Sequence, residues 1–191
     1  MSFYLTPPKT TANLRQLHGV LSNYDIEELL RYVSQQSLED AKLGGGKVNE
    51  DIRRSKIVFL PTNSDTKWVY NKLAALIAQI NRETFNFYLT AIQDIQYTEY
   101  HEEKQGNYDD HLDWVPNTIW PRKLSLCIQL TDGAAYEGGD LLIKTSSKSS
   151  PASRTKGDAL IFPSFLLHGV TPVTRGIRKS LVVWVEGPEW T

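Results

Sequence analysis

Hydrophobic and polar positions change their rhythm partway along the chain. Residues 25–42 (DIEELLRYVSQQSLEDAK) carry Ile26, Leu29, Leu30 and Val33 on one helical face. A helix is predicted there, capped by Asn23 or Asp25 and stopped by the glycines at 44–46. A second helix is predicted over about 65–83, with Trp68, Val69, Leu73, Leu76, Ile77 and Ile80 as its apolar stripe and Asn63 or Ser64 as its cap. After residue 87 the period drops to two. Segments 88–100, 122–131, 139–144, 158–162, 166–173 and 177–186 are short, rich in β-branched or aromatic residues, and punctuated by Gly, Pro, Asp and Ser. These read as strands, and SSKSSPASRTK at 146–156 reads as an exposed loop between two of them. Helices come first and strands follow, without βαβ alternation. The expected class is α+β, mainly β: an antiparallel sandwich or barrel backed by helices.

Strand alternation also sorts side chains by face. Over 122–131, Leu124, Leu126, Ile128 and Leu130 share one face, and Lys123, Ser125, Cys127 and Gln129 share the other. The second face is small and polar. It suits the wall of a polar pocket, and it suits a solvent-facing strand equally well. On the last strand Arg178, Ser180, Val182 and Trp184 lie on one side.

Composition narrows the class. The chain has 191 residues, enough for one domain with a real core, and is 40% hydrophobic and 23% charged. No apolar run approaches the roughly 20 residues of a membrane helix. The opening MSFYLTPPKTT lacks the basic start and apolar stretch of a signal peptide, so a cytoplasmic protein without a membrane association is expected. Cys127 is the single cysteine, which excludes an internal disulfide and a multi-cysteine metal site. A net charge of -1 implies no general affinity for nucleic acid. Any histidine-based site must draw on His18, His101, His111 and His168.

Within YDDHLDW at 108–114, His111 and Asp113 are two residues apart, so in a strand they project together while Leu112 points away. An imidazole and a carboxylate side by side fit two adjacent positions on a metal. His168, in the strand-like PSFLLHGVTPV, is the better third candidate. Two histidines and one carboxylate leave half an octahedron open, as in non-haem iron(II) oxygenases, whereas a structural zinc site is closed by protein ligands. The triplet by itself is weak evidence, because a surface strand pair has the same spacing. A second feature adds to it. Arg178 can grip a carboxylate through two parallel hydrogen bonds, and Ser180 on the same face adds a hydroxyl. A dicarboxylic co-substrate chelating the metal at one end needs such a cation at the other. His101, Glu102 and Glu103 read as a solvated turn, and Trp114, Trp120, Lys148, Arg154 and Lys156 as surface or as an entrance.

Taken together, HLD at 111–113, YEGGDL at 136–141, KGDALIFPSFLLHGVTPVTRG at 156–176 and RKS at 178–180 resemble the iron(II)/2-oxoglutarate dioxygenases. Within them the pattern is closest to the prolyl 4-hydroxylase-like group, and to its bacterial and phage members called PKHD-type hydroxylases. The resemblance implies a double-stranded β-helix, a distorted jelly roll, over 88–187, with 1–87 as helical support within one domain spanning 1–191. It implies iron(II) on His111, Asp113 and His168, and 2-oxoglutarate held by Arg178 and Ser180, with Tyr108 and Tyr100 beside it. Dioxygen is then the second co-substrate and ascorbate a reductant. The implied substrate is a prolyl residue in a peptide or protein, with a free amino acid or small metabolite as the alternative. A non-catalytic jelly-roll binding module is the competing class, and a nucleic-acid demethylase of the same superfamily a third. The glycines at 138–139 are expected to serve a tight turn or a close backbone approach.

Overall fold

The computed structural model describes residues 14–43, 46–114, 118–145 and 149–189. Two antiparallel sheets face each other. The major sheet is built on the order β1 (Arg15–Leu17), β11 (Ala159–Pro163), β7 (Arg122–Gln129), β13 (Val173–Glu186), β5 (Ile95–His101), β3 (Lys56–Leu60) and β2 (Glu39–Asp40). Two short strands, β4 (Ala91–Ile92) and β8 (Tyr136–Gly138), also pair with β13. The minor sheet runs β10 (Ser149–Pro151), β9 (Leu141–Lys144), β12 (Leu167–Val170) and β6 (Tyr108–His111). This is a double-stranded β-helix.

The alternation seen along the strands becomes two cores. Leu124, Leu126, Ile128, Ala159, Ile161, Leu181, Val183 and Val185 point from the outer face of the major sheet into a core shared with two helices. Leu160, Phe162, Cys127 and Tyr100 point the other way, toward Leu141, Ile143 and Val170 of the minor sheet. That second core, between the sheets, surrounds the site. The large apolar area lies on the helix side, which leaves the inner side free to hold polar groups.

Helix α1 spans Asn23–Val33, and α2 spans Lys67–Ile80 before loosening into a π-helical turn at Asn81–Phe85. α1 is capped by Ser22, not by Asn23 or Asp25. The Ser22 Oγ accepts from the Asp25 N–H at 3.2 Å, and the Asp25 carboxylate accepts from the Ser22 N–H at 2.7 Å, a reciprocal box. α1 also ends well before 42: Ser34 Oγ donates to the Arg31 carbonyl, the last turn tightens, and Glu39–Asp40 joins β3 as a strand. The α2 stripe buries Val69, Tyr70, Leu73, Ile77 and Ile80, with Trp68 and Leu76 partly covered. The Tyr70 hydroxyl donates to the Leu60 carbonyl at 2.5 Å and accepts from the Ile95 N–H at 3.0 Å, pinning α2 to β3 and β5. No described helix is long and apolar enough to cross a membrane.

Two expectations need correction. Residues 1–87 are not helical support alone, because β1, β2 and β3 extend the major sheet. Each is too short, or too irregular in its alternation, to be read without the strand it pairs with. The segment 146–156 is not simply a loop either. Ser149–Pro151 pairs with β9, and Arg154 lies over the Tyr136 ring while bonding Asp140 and the carbonyls of Gly133 and Tyr136. Lys148, Gly44 and Gly45 lie outside the described residues. The glycine pair behaves as expected. Gly138 has φ +68°, and a Cβ there would sit 2.0 Å from the Pro172 carbonyl oxygen. At Gly139 a Cβ would stand 3.1 Å from the Cδ of Arg178.

Candidate metal centre

β6 and β12 bring two histidines together, because their register places His168 opposite His111. Asp113 lies just past the end of β6, so its direction is not set by strand pleating. The Asp113 and Trp114 N–H groups both donate to the Ser164 carbonyl, at 3.0 and 2.9 Å, and this fold-back turns the carboxylate inward. The His111 Nε2 is 3.6 Å from Asp113 Oδ1, and the His168 Nε2 is 3.4 Å from Asp113 Oδ2. One ligand atom from each residue lies within 4.8 Å of the others, and this is the one such His/Cys/Asp/Glu group among the described residues.

The remaining ring nitrogens fix the tautomer. His111 Nδ1 is 2.8 Å from the Asp109 carbonyl, and His168 Nδ1 is 2.9 Å from that of Leu166. A carbonyl only accepts, so each Nδ1 carries a proton, and each Nε2, once it gives up its own proton, would offer its lone pair to a metal. Packing holds the rings. Tyr108 stacks on His111 with centroids 3.5 Å apart, and Phe162 meets His168 edge-on at 4.8 Å. Ser125 Oγ donates to Asp113 Oδ2 at 2.7 Å and lies 2.9 Å from the Ser164 Oγ, so one carboxylate oxygen is held by the protein.

Burial by itself would raise the Asp113 pKa, but the bonds from His111 and His168 override it and hold the carboxyl well below its ordinary value. For His168, burial works against the charged form, and the Asp113 bond and charge reverse it, so the imidazole is raised. In a metal-free protein this cluster attracts a proton. A divalent cation answers the same field.

The metal cluster opens on a cavity lined by Tyr100, Ser125, Cys127, Leu141, Phe162, Val170, Arg178, Ser180, Val182 and Trp184, among others. Of these, Arg178 is fully buried, with 0% exposure. Its Cζ lies 5.4 Å over the Tyr100 ring, and its Nη2 has only the Cys127 sulfur at 3.7 Å. No acidic side chain pairs with it among the described residues, its Nε has no partner, and neither has the buried Ser180 hydroxyl. An unpaired buried guanidinium costs several kcal/mol in apolar surroundings. Its persistence here, beside an orphaned hydroxyl, fits a site for a bound carboxylate.

The face assignments made from alternation therefore place Ser125, Cys127, Arg178, Ser180, Val182 and Trp184 on the cavity wall. Trp114 and Trp120 are not part of it; Trp120 is half exposed. His101 ends β5, and Glu102 and Glu103 form the exposed turn that follows it. His101 bonds Glu99, and Glu102 accepts the Gly176 N–H at 2.7 Å. Reading the sequence missed Arg53 and Gln96, which line the cavity, and Ser164, which holds Asp113. Gln96 alternates with apolar neighbours and was legible in principle. Arg53 and Ser164 carry no local signal.

Fold and site together define a double-stranded β-helix whose sheets enclose two histidines and a carboxylate. The sequence model of the 2OG-Fe(II) oxygenase superfamily matches residues 95–186. A PKHD-type hydroxylase of Synechococcus sp. (strain CC9311) is 45% identical over 84 residues, which is 44% of this chain and 38% of that protein. The PKHD-type hydroxylase YbiX of Escherichia coli O81 (strain ED1a) is 28% identical over 182 residues, covering 88% of this chain and 76% of the relative. The fold is shared with a Trichoplax adhaerens prolyl hydroxylase solved with a hypoxia inducible factor peptide fragment, at TM-score 0.77, 17% identity and coverage of 91% and 83%. It is also shared with a Pseudomonas putida prolyl-4-hydroxylase, at TM-score 0.75, 20% identity and coverage of 92% and 93%. These findings support a place in the 2OG-Fe(II) oxygenase superfamily, with PKHD-type hydroxylases among the proteins the chain is similar to.

Proposed function

We propose that the protein is an Fe(II)- and 2-oxoglutarate-dependent dioxygenase of the cytoplasm. It hydroxylates a C–H bond, with a prolyl residue in a peptide or protein as the favoured target and a free amino acid or small metabolite as the alternative. Succinate and carbon dioxide are the co-products, and ascorbate is the reductant. The observation that carries this reading is the pairing of a His111–Asp113–His168 cluster, its ligand atoms within 4.8 Å, with a fully buried Arg178 that has no acidic partner among the described residues. Few chemistries need both an open metal and a buried anion anchor in one cavity.

In this reading His111, Asp113 and His168 hold the iron, and Arg178 with Ser180 takes the far carboxylate of 2-oxoglutarate. Tyr100 stands beside the Arg178 guanidinium, and Tyr108 braces the His111 ring. Iron and 2-oxoglutarate, when bound, supply the oxidising chemistry that activates dioxygen. The chain's own tasks are to fix both Nε2 lone pairs, to hold one Asp113 oxygen through Ser125, and to exclude water with Leu141, Phe162, Val170 and Val182. The names of the structural neighbours favour prolyl or peptidyl targets.

The test is an anaerobic titration of metal-free protein with iron(II) and 2-oxoglutarate, watching the visible charge-transfer band of the chelate. The band is expected in wild type, absent in His168→Ala, and to need far more 2-oxoglutarate in Arg178→Ala. Metal binding without a band in wild type would refute the co-substrate assignment.

A further inference from the structure

A second buried arginine lines the same cavity. Arg53 is only 6% exposed and lies far from the strands that hold the metal cluster in sequence. Backbone pairing puts it there: the Arg54 N–H donates to the Asn107 carbonyl, the Asp109 N–H donates to the Ile52 carbonyl, and Arg53 bridges to Tyr108. Its Cζ lies 4.5 Å over the Tyr108 ring, which also stacks on His111 with centroids 3.5 Å apart. Tyr108 thus links Arg53 to His111 of the candidate metal cluster.

The guanidinium of Arg53 is not paired. Its Nε donates to Ser55 Oγ at 2.9 Å, and no carboxylate lies within ion-pair distance among the described residues. Acids do occur in the outer cleft that Arg53 also lines, but they are taken. Asp40 pairs with Lys56 at 2.9 Å, Glu50 with Lys104 at 2.7 Å, and Glu103 lies 3.7 Å from His101. A third guanidinium, Arg122, stacks 3.9 Å over Trp184, itself a lining residue, and its Nε donates to the Gln93 side chain.

Charge balance says what Arg53 awaits. In the loaded site proposed above, two positive charges on iron(II) and one on Arg178 meet one negative charge on Asp113 and two on 2-oxoglutarate. Nothing is left for Arg53. We propose that Arg53 anchors a carboxylate of the substrate, so that the group hydroxylated lies close to a free α-carboxylate or an acidic side chain. This rests on the proposed dioxygenase reading and narrows its substrate class.

The test uses full-length protein loaded with manganese(II), a redox-inert substitute, and 2-oxoglutarate. Calorimetry compares N-acetyl-L-proline with N-acetyl-L-prolinamide, and N-acetyl-L-prolyl-L-glutamate amide with its glutamine analogue. The first pair reads a terminal carboxylate, the second a side-chain one. In at least one pair the acid is expected to bind about tenfold or more tightly than its neutral partner. Arg53→Gln reduces that ratio to within about twofold, and Arg53→Lys retains part of it, while the 2-oxoglutarate requirement follows Arg178 rather than Arg53. Wild-type acid preference that fades at high salt reads the same contact should Arg53→Gln fail to fold. Equal binding within both pairs, binding of no probe, or a preference that survives Arg53→Gln overturns the assignment. If 2-oxoglutarate does not bind at all, the dioxygenase reading falls separately, and the acid–neutral comparison on the manganese protein alone still decides Arg53.

Discussion

Arg178→Met separates a ligand anchor from a structural arginine, because the two roles predict opposite signs of stability. In the ligand-free protein the guanidinium is fully buried, its Nε is orphaned, and its Nη2 meets only the Cys127 sulfur at 3.7 Å. Methionine fills a similar length without a charge. Removing an uncompensated buried ion should stabilise the ligand-free protein by about 1–3 kcal/mol, since replacing buried charges by apolar groups gains of that order. For a chain of this size that is a rise in Tm of roughly 2–10 °C. Co-substrate binding should move the other way. A carboxylate gripped by a guanidinium loses about 3 kcal/mol of charge-assisted hydrogen bonding, a factor of about 100 or more in Kd. The assay is a pair of thermal melts with manganese(II), without and with 2-oxoglutarate at about 100 times the wild-type Kd. Wild type should gain about 2.7 kcal/mol from the ligand and the variant less than about 0.5 kcal/mol. A variant that is less stable without ligand, yet keeps the full ligand-induced shift, would refute the reasoning.

Other perturbations follow from the same geometry. Ser125→Ala removes the donor on Asp113 Oδ2 and should weaken iron(II) binding by about 10- to 100-fold, measured by competition with a chelator, with the fold intact. In metal-free protein His168 is raised, so its contribution is full below the ordinary imidazole pKa and fades as pH rises through the folded value. Asp113 is lowered, so its contribution is present above the ordinary carboxyl pKa and fades as pH falls through the folded value. The stability difference between wild type and Asp113→Asn should therefore be greatest between about pH 4 and 6.5, read from melts across pH; a difference that is flat over pH 3–9 would contradict the pair. Gly138→Ala forces a side chain onto a backbone with φ +68° and into the Pro172 carbonyl, and should cost at least about 2 kcal/mol in urea unfolding.

Legibility in the sequence followed the range of the interactions. Period-two alternation is a local property of an extended chain. It therefore determined that Arg178, Ser180, Val182 and Trp184 share a face, that Ser125 and Cys127 oppose a leucine-rich face, and that His111 lies within reach of Asp113. The helices were visible for the same reason, while the true cap of α1 was missed because Ser22 acts through a reciprocal bond with Asp25 rather than through an apolar spacing. Even the pairing of His111 with Asp113 is not pleating alone, since Asp113 lies beyond the strand and is turned inward by the Ser164 carbonyl.

Tertiary structure decided what depends on distant segments meeting. It placed His168 opposite His111, enrolled β1, β2 and β3 in the major sheet, and turned Arg154 from a loop cation into a brace for Tyr136 and Asp140. It also brought Arg53 from an irregular stretch near residue 50 onto Tyr108, through backbone bonds between 52–54 and 107–109. Sequence determined which side chains travel together on one strand. Which strand ends share a cavity is set by sheet closure, a long-range property that no local window of residues contains.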